Sequence, residues 1–404
     1  MEIISPSLKY RNIAKVVEVG TDFWDFSESI GLASIVAELK NNKLITKEGH
    51  EFINFSCCSY LDLDQHPLII EGAINALRKY GVLDHCITRA RVQIPALCEL
   101  ENSLSDLFMS RVVCTISASV ASHGVLPLIA SGSLLSGKVR PYMIFDKNCH
   151  NSMFDIKPVC ADETEIVTCK HHDLNFIEDS LKRYKSVVYV CDGADSLGGY
   201  APISDLQLLQ AKYGLYVYYD DSHSISVYGK NGVGFVRSKY DKLDNQTFIV
   251  ATLNKAFGTS GAVIMAGSGD REKLKIIERF GGAIGYSQPM NTAAIGASMA
   301  SVEIHKSQEL TRLQEELYSK INLFDSLIDT KQKGDSYPIR LISVPDNKVV
   351  DVAQKMFAAG FYVSPVFFPV IAKGTAGLRA MLRVGQPDDE IRRFCNLVNN
   401  YINE

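Results

Sequence analysis

Residues 248–262 read Phe248-Ile-Val-Ala-Thr-Leu-Asn-Lys-Ala-Phe-Gly-Thr-Ser-Gly-Ala262, an apolar run that ends in a lysine and a glycine-containing turn. The apolar and β-branched residues predict a buried strand, and Lys255 follows at its carboxyl end. A lysine with a desolvated stem and an open tip is a nucleophile toward carbonyl groups. A solvated lysine at a strand end is the ordinary alternative, so the interpretation of Lys255 depends on its context.

A second stretch has the same design. Leu215-Tyr-Val-Tyr-Tyr-Asp-Asp-Ser-His-Ser224 passes from a β-rich run into acidic residues and a histidine. In open α/β sheets ligands bind at the carboxyl ends of the strands, so we expect Asp220, His223 and Lys255 to meet around one small molecule. These groups suit pyridoxal 5'-phosphate, whose pyridine nitrogen favours an anionic partner and whose aldehyde reacts with a lysine.

The two stretches closely resemble motifs of the α-oxoamine synthases, a family of fold-type I pyridoxal-phosphate enzymes related to class I/II aminotransferases. The resemblance runs from about Asn54 to the C-terminus in the family's motif order. It implies an α/β fold with a mostly parallel seven-stranded sheet in a large domain and a smaller α+β C-terminal domain. We therefore expect an N-terminal arm over residues 1–53, a large cofactor-binding domain over residues 54–291, and a linking helix with the small domain over residues 292–404.

The resemblance also implies roles for single residues. Lys255 would carry the cofactor as a Schiff base and then remove the α-proton of the substrate, while Asp220 would face the pyridine nitrogen. His150, which follows another strand-like run, would stack on the ring. His223 and Ser196 would hold the phenolic oxygen.

A phosphate site is expected at the start of a helix. The strand-like run Arg111–Ile116 leads into a serine-rich turn and a helix expected from about Ala121. Backbone N–H groups at a helix start bind anions, so Ala118 and Ser119 are candidate phosphate ligands. The resemblance adds Thr252, and Ser287 and Gln288 from a partner subunit, to the phosphate contacts, and it gives Arg379 the substrate carboxylate.

The implied activity is that of an acyltransferase. It condenses an amino acid with an acyl thioester of coenzyme A or an acyl-carrier protein, usually with decarboxylation, to give an α-amino ketone, and it works as a homodimer. Two alternatives stay open: an aminotransferase that forms no carbon–carbon bond, and a non-catalytic subunit of such an enzyme. The presence of Lys255 and Asp220 argues against a non-catalytic subunit.

Composition limits the other classes of function. A chain of 404 residues with 46% hydrophobic residues can bury a large core, and its net charge of −4 with scattered basic residues predicts no nucleic-acid partner. Among ten cysteines, Cys57 and Cys58 are adjacent and no signal peptide is recognised, so we expect reduced thiols and a cytoplasmic location.

Two further stretches were candidates for other kinds of site. Cys169-Lys-His-His172 lacks a second ligand group at zinc-like spacing, so we interpret it as a polar strand end and expect no metal. The run Val112–Gly137 has no charged residue and is long enough to span a bilayer. Because Pro127, glycines and serines interrupt it, a buried strand, a turn and a helix are the better interpretation.

Hydrophobic periodicity predicts the remaining elements. A helix is expected near Ile30–Leu39, and a long helix from about Thr292 to Leu327 is expected to lead into the small domain. That domain is predicted to contain strands over Pro338–Val344, Phe361–Phe368 and Leu378–Val384, and helices over Val349–Ala359 and Asp389–Ile402.

Overall fold

The computed structural model describes residues 13–40, 42–267, 271–367 and 374–404. Its helices are α1 (Ile13–Ser29), α2 (Pro67–Tyr80), α3 (Pro95–Phe108), α4 (Ala118–Ala130), α5 (Asn151–Phe154), α6 (Lys157–Glu163), α7 (Leu174–Arg183), α8 (Ile203–Tyr213), α9 (Phe235–Ser238), α10 (Arg271–Phe280), α11 (Gly282–Gly285), α12 (Thr292–His305), α13 (Gln308–Asp325), α14 (Val349–Ala358) and α15 (Asp388–Asn403). Its strands are β1 (Ala37–Lys40), β2 (Lys43–Thr46), β3 (Glu51–Asn54), β4 (Arg111–Thr115), β5 (Tyr142–Asp146), β6 (Ile166–Cys169), β7 (Val187–Asp192), β8 (Tyr216–Asp220), β9 (Thr247–Thr252), β10 (Ala262–Ala266), β11 (Ile339–Ser343), β12 (Phe361–Tyr362), β13 (Ser364–Val366) and β14 (Gly377–Met381).

These elements form two compact units. The larger unit comprises residues 61–315, and the smaller unit combines the chain up to Tyr60 with residues 316–404. The domain boundaries expected after residues 53 and 291 stay a prediction.

A seven-stranded sheet in the order β4-β10-β9-β8-β7-β5-β6 forms the centre of the larger unit. Strand β10 runs antiparallel to both neighbours, and the other neighbouring strands are parallel. Parallel sheets are covered on both faces, so their strands are apolar throughout; every residue of β7, β8 and β9 is buried. The mostly parallel seven-stranded sheet expected from the sequence is confirmed.

The carboxyl ends of six strands meet at one edge of this sheet. Strands β5, β6, β7, β8 and β9 are mutually parallel. Strand β4 has the same direction as β9, because each is antiparallel to β10. The loops after these strands carry the polar residues singled out in the sequence, so the fold gathers them at the edge where α/β proteins bind ligands.

Helix α4 begins three residues before the predicted start at Ala121. Ser117 caps it, because its Oγ accepts the N–H of Val120 at 3.2 Å. The uncharged run from Val112 to Gly137 therefore contains the end of β4, a cap and a buried helix. No helix among the described residues has the length and apolarity that crossing a membrane requires.

The single long helix predicted over Thr292–Leu327 is wrong, since α12 and α13 are separate. Ser307 lies at the break. Its Oγ accepts the N–H of Glu309 at 3.1 Å and donates to the carbonyl of Ile304 at 2.8 Å. A serine that bonds the backbone in this way ends one helix and caps the next.

The helix predicted near Ile30–Leu39 is also wrong. Gly31 and Ser34 have positive φ angles of 74° and 53°, which a right-handed helix does not permit. The chain is instead helical earlier, in α1, and then enters β1, which pairs antiparallel with β2.

The smaller unit contains two further sheets and confirms the expected helices, now α14 and α15. Strands β11, β14 and β13 form one antiparallel sheet, in the order β11-β14-β13. The strand predicted over Phe361–Phe368 is divided. Its first part, β12, pairs parallel with β3, its second part, β13, pairs with β14, and residue 368 lies outside the described ranges.

Candidate active site

A cavity of about 190 Å³ opens at the carboxyl edge of the seven-stranded sheet. The loops after β4, β5, β7, β8 and β9 form its walls. Its lining residues are small or polar side chains at strand ends: Ser117, Ala118, Ser119, His150, Ser152, Asp192, Ala194, Ser196, Asp220, Ser222, His223, Thr252, Asn254 and Lys255.

Lys255 and His223 are in direct contact in this cavity. The Nζ atom of Lys255 lies 2.8 Å from Nε2 of His223. The turn after β9 holds Lys255 in place, because the N–H of Gly258 donates to the carbonyl of Lys255 at 3.0 Å. Gly258 has a φ of +76°, and a Cβ there would lie 2.5 Å from the backbone of Leu63. The turn that carries the lysine therefore requires glycine.

The two adjacent aspartates after β8 have different environments. Asp220 lines the cavity, and its Oδ1 accepts the N–H of Ser222 at 3.0 Å. Asp221 is fully buried, and its Oδ2 accepts the N–H of Val236 at 2.9 Å. Burial raises the pKa of Asp221 to about 7, an effect that hydrogen bonds to Ser224 and Val236 reduce. Of these two adjacent aspartates, Asp220 is the one that the cavity presents to a ligand.

His150 is held at the cavity by contacts with its own loop. It caps α5, since Nδ1 accepts the N–H of Ser152 at 3.2 Å and lies 2.9 Å from Oγ of the same serine. With Nδ1 as an acceptor, the proton of a neutral ring resides on Nε2. The main-chain N–H of His150 donates to Oδ1 of Asp192 at 3.2 Å. These contacts fix the position and the tautomer of the imidazole.

The start of α4 forms the anion-binding side of the cavity. The first N–H groups of a helix have no partner within the helix, and here they belong to Ala118 and Ser119, which both line the cavity. The positive end of the helix dipole favours an anion at the same place. Thr252 lines the cavity too, with its Oγ1 at 2.6 Å from Oδ1 of Asn254.

Three predicted residues do not line the cavity. Ser287 and Gln288 follow α11, where Ser287 is half-buried and Gln288 is exposed. Arg379 belongs to β14 in the smaller unit. The Nε atom of Arg379 is buried without a hydrogen-bond partner among the described residues.

Other cavity residues were absent from the sequence prediction. They are Ser117, Ser152, Asp192, Ala194, Ser222 and Asn254. Asp192 carried a recognisable signal, because it ends the apolar strand β7 as Asp220 ends β8. The serines carried no signal beyond their closeness in sequence to predicted residues.

A second polar cluster lies at the ends of β5 and β6. Asp146 accepts hydrogen bonds from Nδ1 of His171 at 2.9 Å, the N–H of His172 at 2.8 Å and the hydroxyl of Tyr189 at 2.5 Å. Burial opposes ionisation of Asp146, but these hydrogen bonds outweigh it and lower its pKa to about 2. The histidines of the Cys169–His172 stretch therefore have Asp146 as a partner, and the sequence prediction missed this aspartate.

The chain belongs to the aminotransferase class I and II family, whose family model matches residues 50–398. Within that family, the chain is similar to enzymes of two names. It is 27% identical over 372 residues to 8-amino-7-oxononanoate synthase of Alkaliphilus metalliredigens, covering 89% of each chain. It is 26% identical over 342 residues to serine palmitoyltransferase of Bacteriovorax stolpii, covering 83% of this chain and 79% of the relative.

The fold of the chain is also similar to that of a solved serine palmitoyltransferase. The structure of serine palmitoyltransferase from S. paucimobilis with a bound PLP–myriocin aldimine superposes with a TM-score of 0.82 at 19% identity, over 97% of this chain and 98% of the other. The fold-type I architecture expected from the motifs is therefore confirmed.

Proposed function

We propose that this chain is a pyridoxal-phosphate-dependent acyltransferase that condenses an amino acid with an acyl thioester. The acyl carbon joins Cα of the amino acid, the thiol leaves, and loss of carbon dioxide gives an α-amino ketone. The observation that carries the proposal is the 2.8 Å contact of Lys255 with His223 in a cavity that also presents Asp220 and the start of α4. The names of the relatives, an oxononanoate synthase and a palmitoyltransferase, support acyl transfer.

The residues of the cavity fit the chemistry of pyridoxal phosphate. The amine of Lys255 suits the aldehyde, the carboxylate of Asp220 suits the pyridine nitrogen, and the start of α4 with Thr252 suits the phosphate. His150 would cover the ring. Bound at this site, the group supplies an aldehyde that couples to amines and a ring that accepts electrons from a bond at Cα.

Each protein group then has a defined task. The amine of Lys255 acts as the base that accepts the α-proton of the amino acid, and His223 at 2.8 Å holds that amine in place. Asp220 would favour a proton on the ring nitrogen, because a nearby anion stabilises the charged form. His223 and Ser196 would hold the phenolic oxygen. Arg379 would bind the substrate carboxylate through its forked guanidinium group.

We also propose a symmetric homodimer in the cytoplasm. Ser287 and Gln288 lie outside the cavity of their own chain, and this position supports a role in the phosphate site of the partner subunit. All ten cysteines are free and six of them are buried, which supports a reducing compartment.

The test is thiol release. The purified chain, loaded with pyridoxal phosphate, is given a panel of amino acids and acyl thioesters of several chain lengths, and free thiol is followed with a chromogenic disulfide. One pair should release thiol and yield an α-amino ketone, and a Lys255→Ala variant should not. Borohydride reduction followed by peptide mapping should label Lys255, and a label on another lysine would overturn its assignment.

The aminotransferase alternative has a separate signature. The family description supports it, since it names aminotransferases. If no pair releases thiol, and instead an amino acid and a keto acid exchange their amino group, the chain is an aminotransferase and the acyltransferase proposal is wrong.

A further inference from the structure

Asp192 lies beside Asp220 at the carboxyl edge of the sheet, and both side chains line the cavity. The register of β7 and β8 pairs the two residues directly, and paired residues of neighbouring strands share a face at a strand spacing of about 4.8 Å. Only 8% of Asp192 and 5% of Asp220 are exposed. Two ionised carboxylates this close in a desolvated site repel each other, and a proton on one of them removes that repulsion.

The surroundings of Asp192 favour its protonated form. Burial, then the charge of Asp220 and then that of Asp195 raise the pKa of Asp192 well above its ordinary value. The N–H of His150, which donates to Oδ1 of Asp192, and the charge of Lys255 oppose this shift without cancelling it.

Two thiols near Asp192 add no charge to this balance. Burial raises the pKa of Cys149 and of Cys191 well above the ordinary value of a thiol, so both stay neutral. Each carboxylate accepts one main-chain N–H, Asp220 that of Ser222 at 3.0 Å and Asp192 that of His150 at 3.2 Å.

We propose that Asp192 is a neutral carboxylic acid that positions His150 and gives the cavity a hydrogen-bond donor beside the carboxylate of Asp220. Oδ1 accepts the main-chain N–H of His150, so the proton resides on Oδ2. A neutral Asp192 leaves Asp220 as the single negative charge of the pair, which is the charge that a protonated pyridine nitrogen needs. This last consequence rests on the proposed function, whereas the protonation of Asp192 does not.

Infrared difference spectroscopy of the full chain tests the protonation without any cofactor. At about pH 8, above the pKa of about 7 that burial gives Asp221, the wild type should show the C=O stretch of a protonated carboxyl group that Asp192→Asn lacks. An identical carboxylic-acid band in the two proteins would overturn the inference. Far-ultraviolet circular dichroism checks that the variant is folded.

The Asp220→Asn variant keeps the test decisive if Asp192→Asn does not fold. Removing the charge of Asp220 should lower the pH at which the acid band of Asp192 disappears, and an unchanged titration would contradict the pairing. A conservative Asp192→Glu variant should retain an acid band. This result would show that the band depends on a carboxyl group at this position and not on the length of the side chain.

Absorbance of the bound cofactor gives a second readout. The pH midpoint of the visible absorbance should stay nearly constant in Asp192→Asn, because one neutral group replaces another, and should move in Asp220→Asn, which loses a charge. Equal shifts in both variants would mean that Asp192 is ionised. If the wild type takes up no pyridoxal phosphate, the proposed function fails, while the infrared result still decides the state of Asp192.

Discussion

Replacement of Gly258 by alanine should damage the turn that carries Lys255 far more than its size suggests. The φ of +76° alone costs an L-residue about 1–2 kcal/mol. In addition, the new Cβ would lie 2.5 Å from the carbonyl carbon and from Cβ of Leu63 and 2.7 Å from its carbonyl oxygen. Relief of such an overlap in a packed region costs about 1–3 kcal/mol more.

Gly214 provides the matched control. Its φ is +77°, but the nearest atom to an added Cβ is Nε2 of Gln246 at 3.6 Å, an ordinary contact. The backbone cost and the change in unfolded-chain entropy are common to Gly214→Ala and Gly258→Ala, and they cancel in the comparison. The overlap with Leu63 remains, so Gly258→Ala should be less stable than Gly214→Ala by about 1–3 kcal/mol.

Urea unfolding followed by circular dichroism measures this difference between the two variants. Because the N–H of Gly258 bonds to the carbonyl of Lys255, Gly258→Ala should also retain less bound pyridoxal phosphate than Gly214→Ala. If the two variants agree in unfolding free energy within about 0.5 kcal/mol, the overlap with Leu63 does not constrain this turn and the reasoning is refuted.

Four further predictions concern the site. Asp220→Asn should lose most activity while Asp221→Asn keeps more, and the reverse order in an activity assay would place the wrong aspartate in the cavity. Because burial raises the folded-state pKa of Asp221 to about 7 from 3.8, wild-type stability should fall as pH rises from about 4 to about 7, and Asp221→Asn should lose this dependence in urea titrations. Arg379→Ala should weaken amino-acid binding by about 1.5–3 kcal/mol, visible in KM before kcat; an unchanged KM would remove Arg379 from the site. Replacement of both Ser287 and Gln288 by alanine should weaken cofactor retention, and retention equal to wild type in a dilution series would exclude their role across the dimer.

The strand ends of the site could be predicted because each is a local pattern. An apolar run followed by polar residues identifies β8 with Asp220 and β9 with Lys255. Because β8 and β9 are neighbouring parallel strands, both residues lie at the same edge of the sheet. Asp192 ends β7 with the same pattern, so its place at the cavity was predictable in the same way.

Other features depend on pairing between strands, which a local sequence pattern does not reveal. The contact of His171 with Asp146 exists because β5 and β6 pair with Asp146 opposite Cys169. The error at Ile30–Leu39 has a similar origin, because β1 is a strand only by pairing with β2. Apolar periodicity in that segment favours a helix, and the positive φ of Ser34 is set by the fold around it.

The pairing of β4 has a consequence for how the protein is made. Among the residues that the structure describes, strand β4, which leads into the anion-binding start of α4, pairs in the sheet only with β10, where Arg111 lies opposite Ala266. A ribosome must therefore synthesise β10 before β4 has its place, and long-range pairing of this kind slows folding. We expect a nascent chain that ends before Ala262 to leave the phosphate-binding end of its site unanchored, so cofactor capture should mark the last stage of folding of the larger unit.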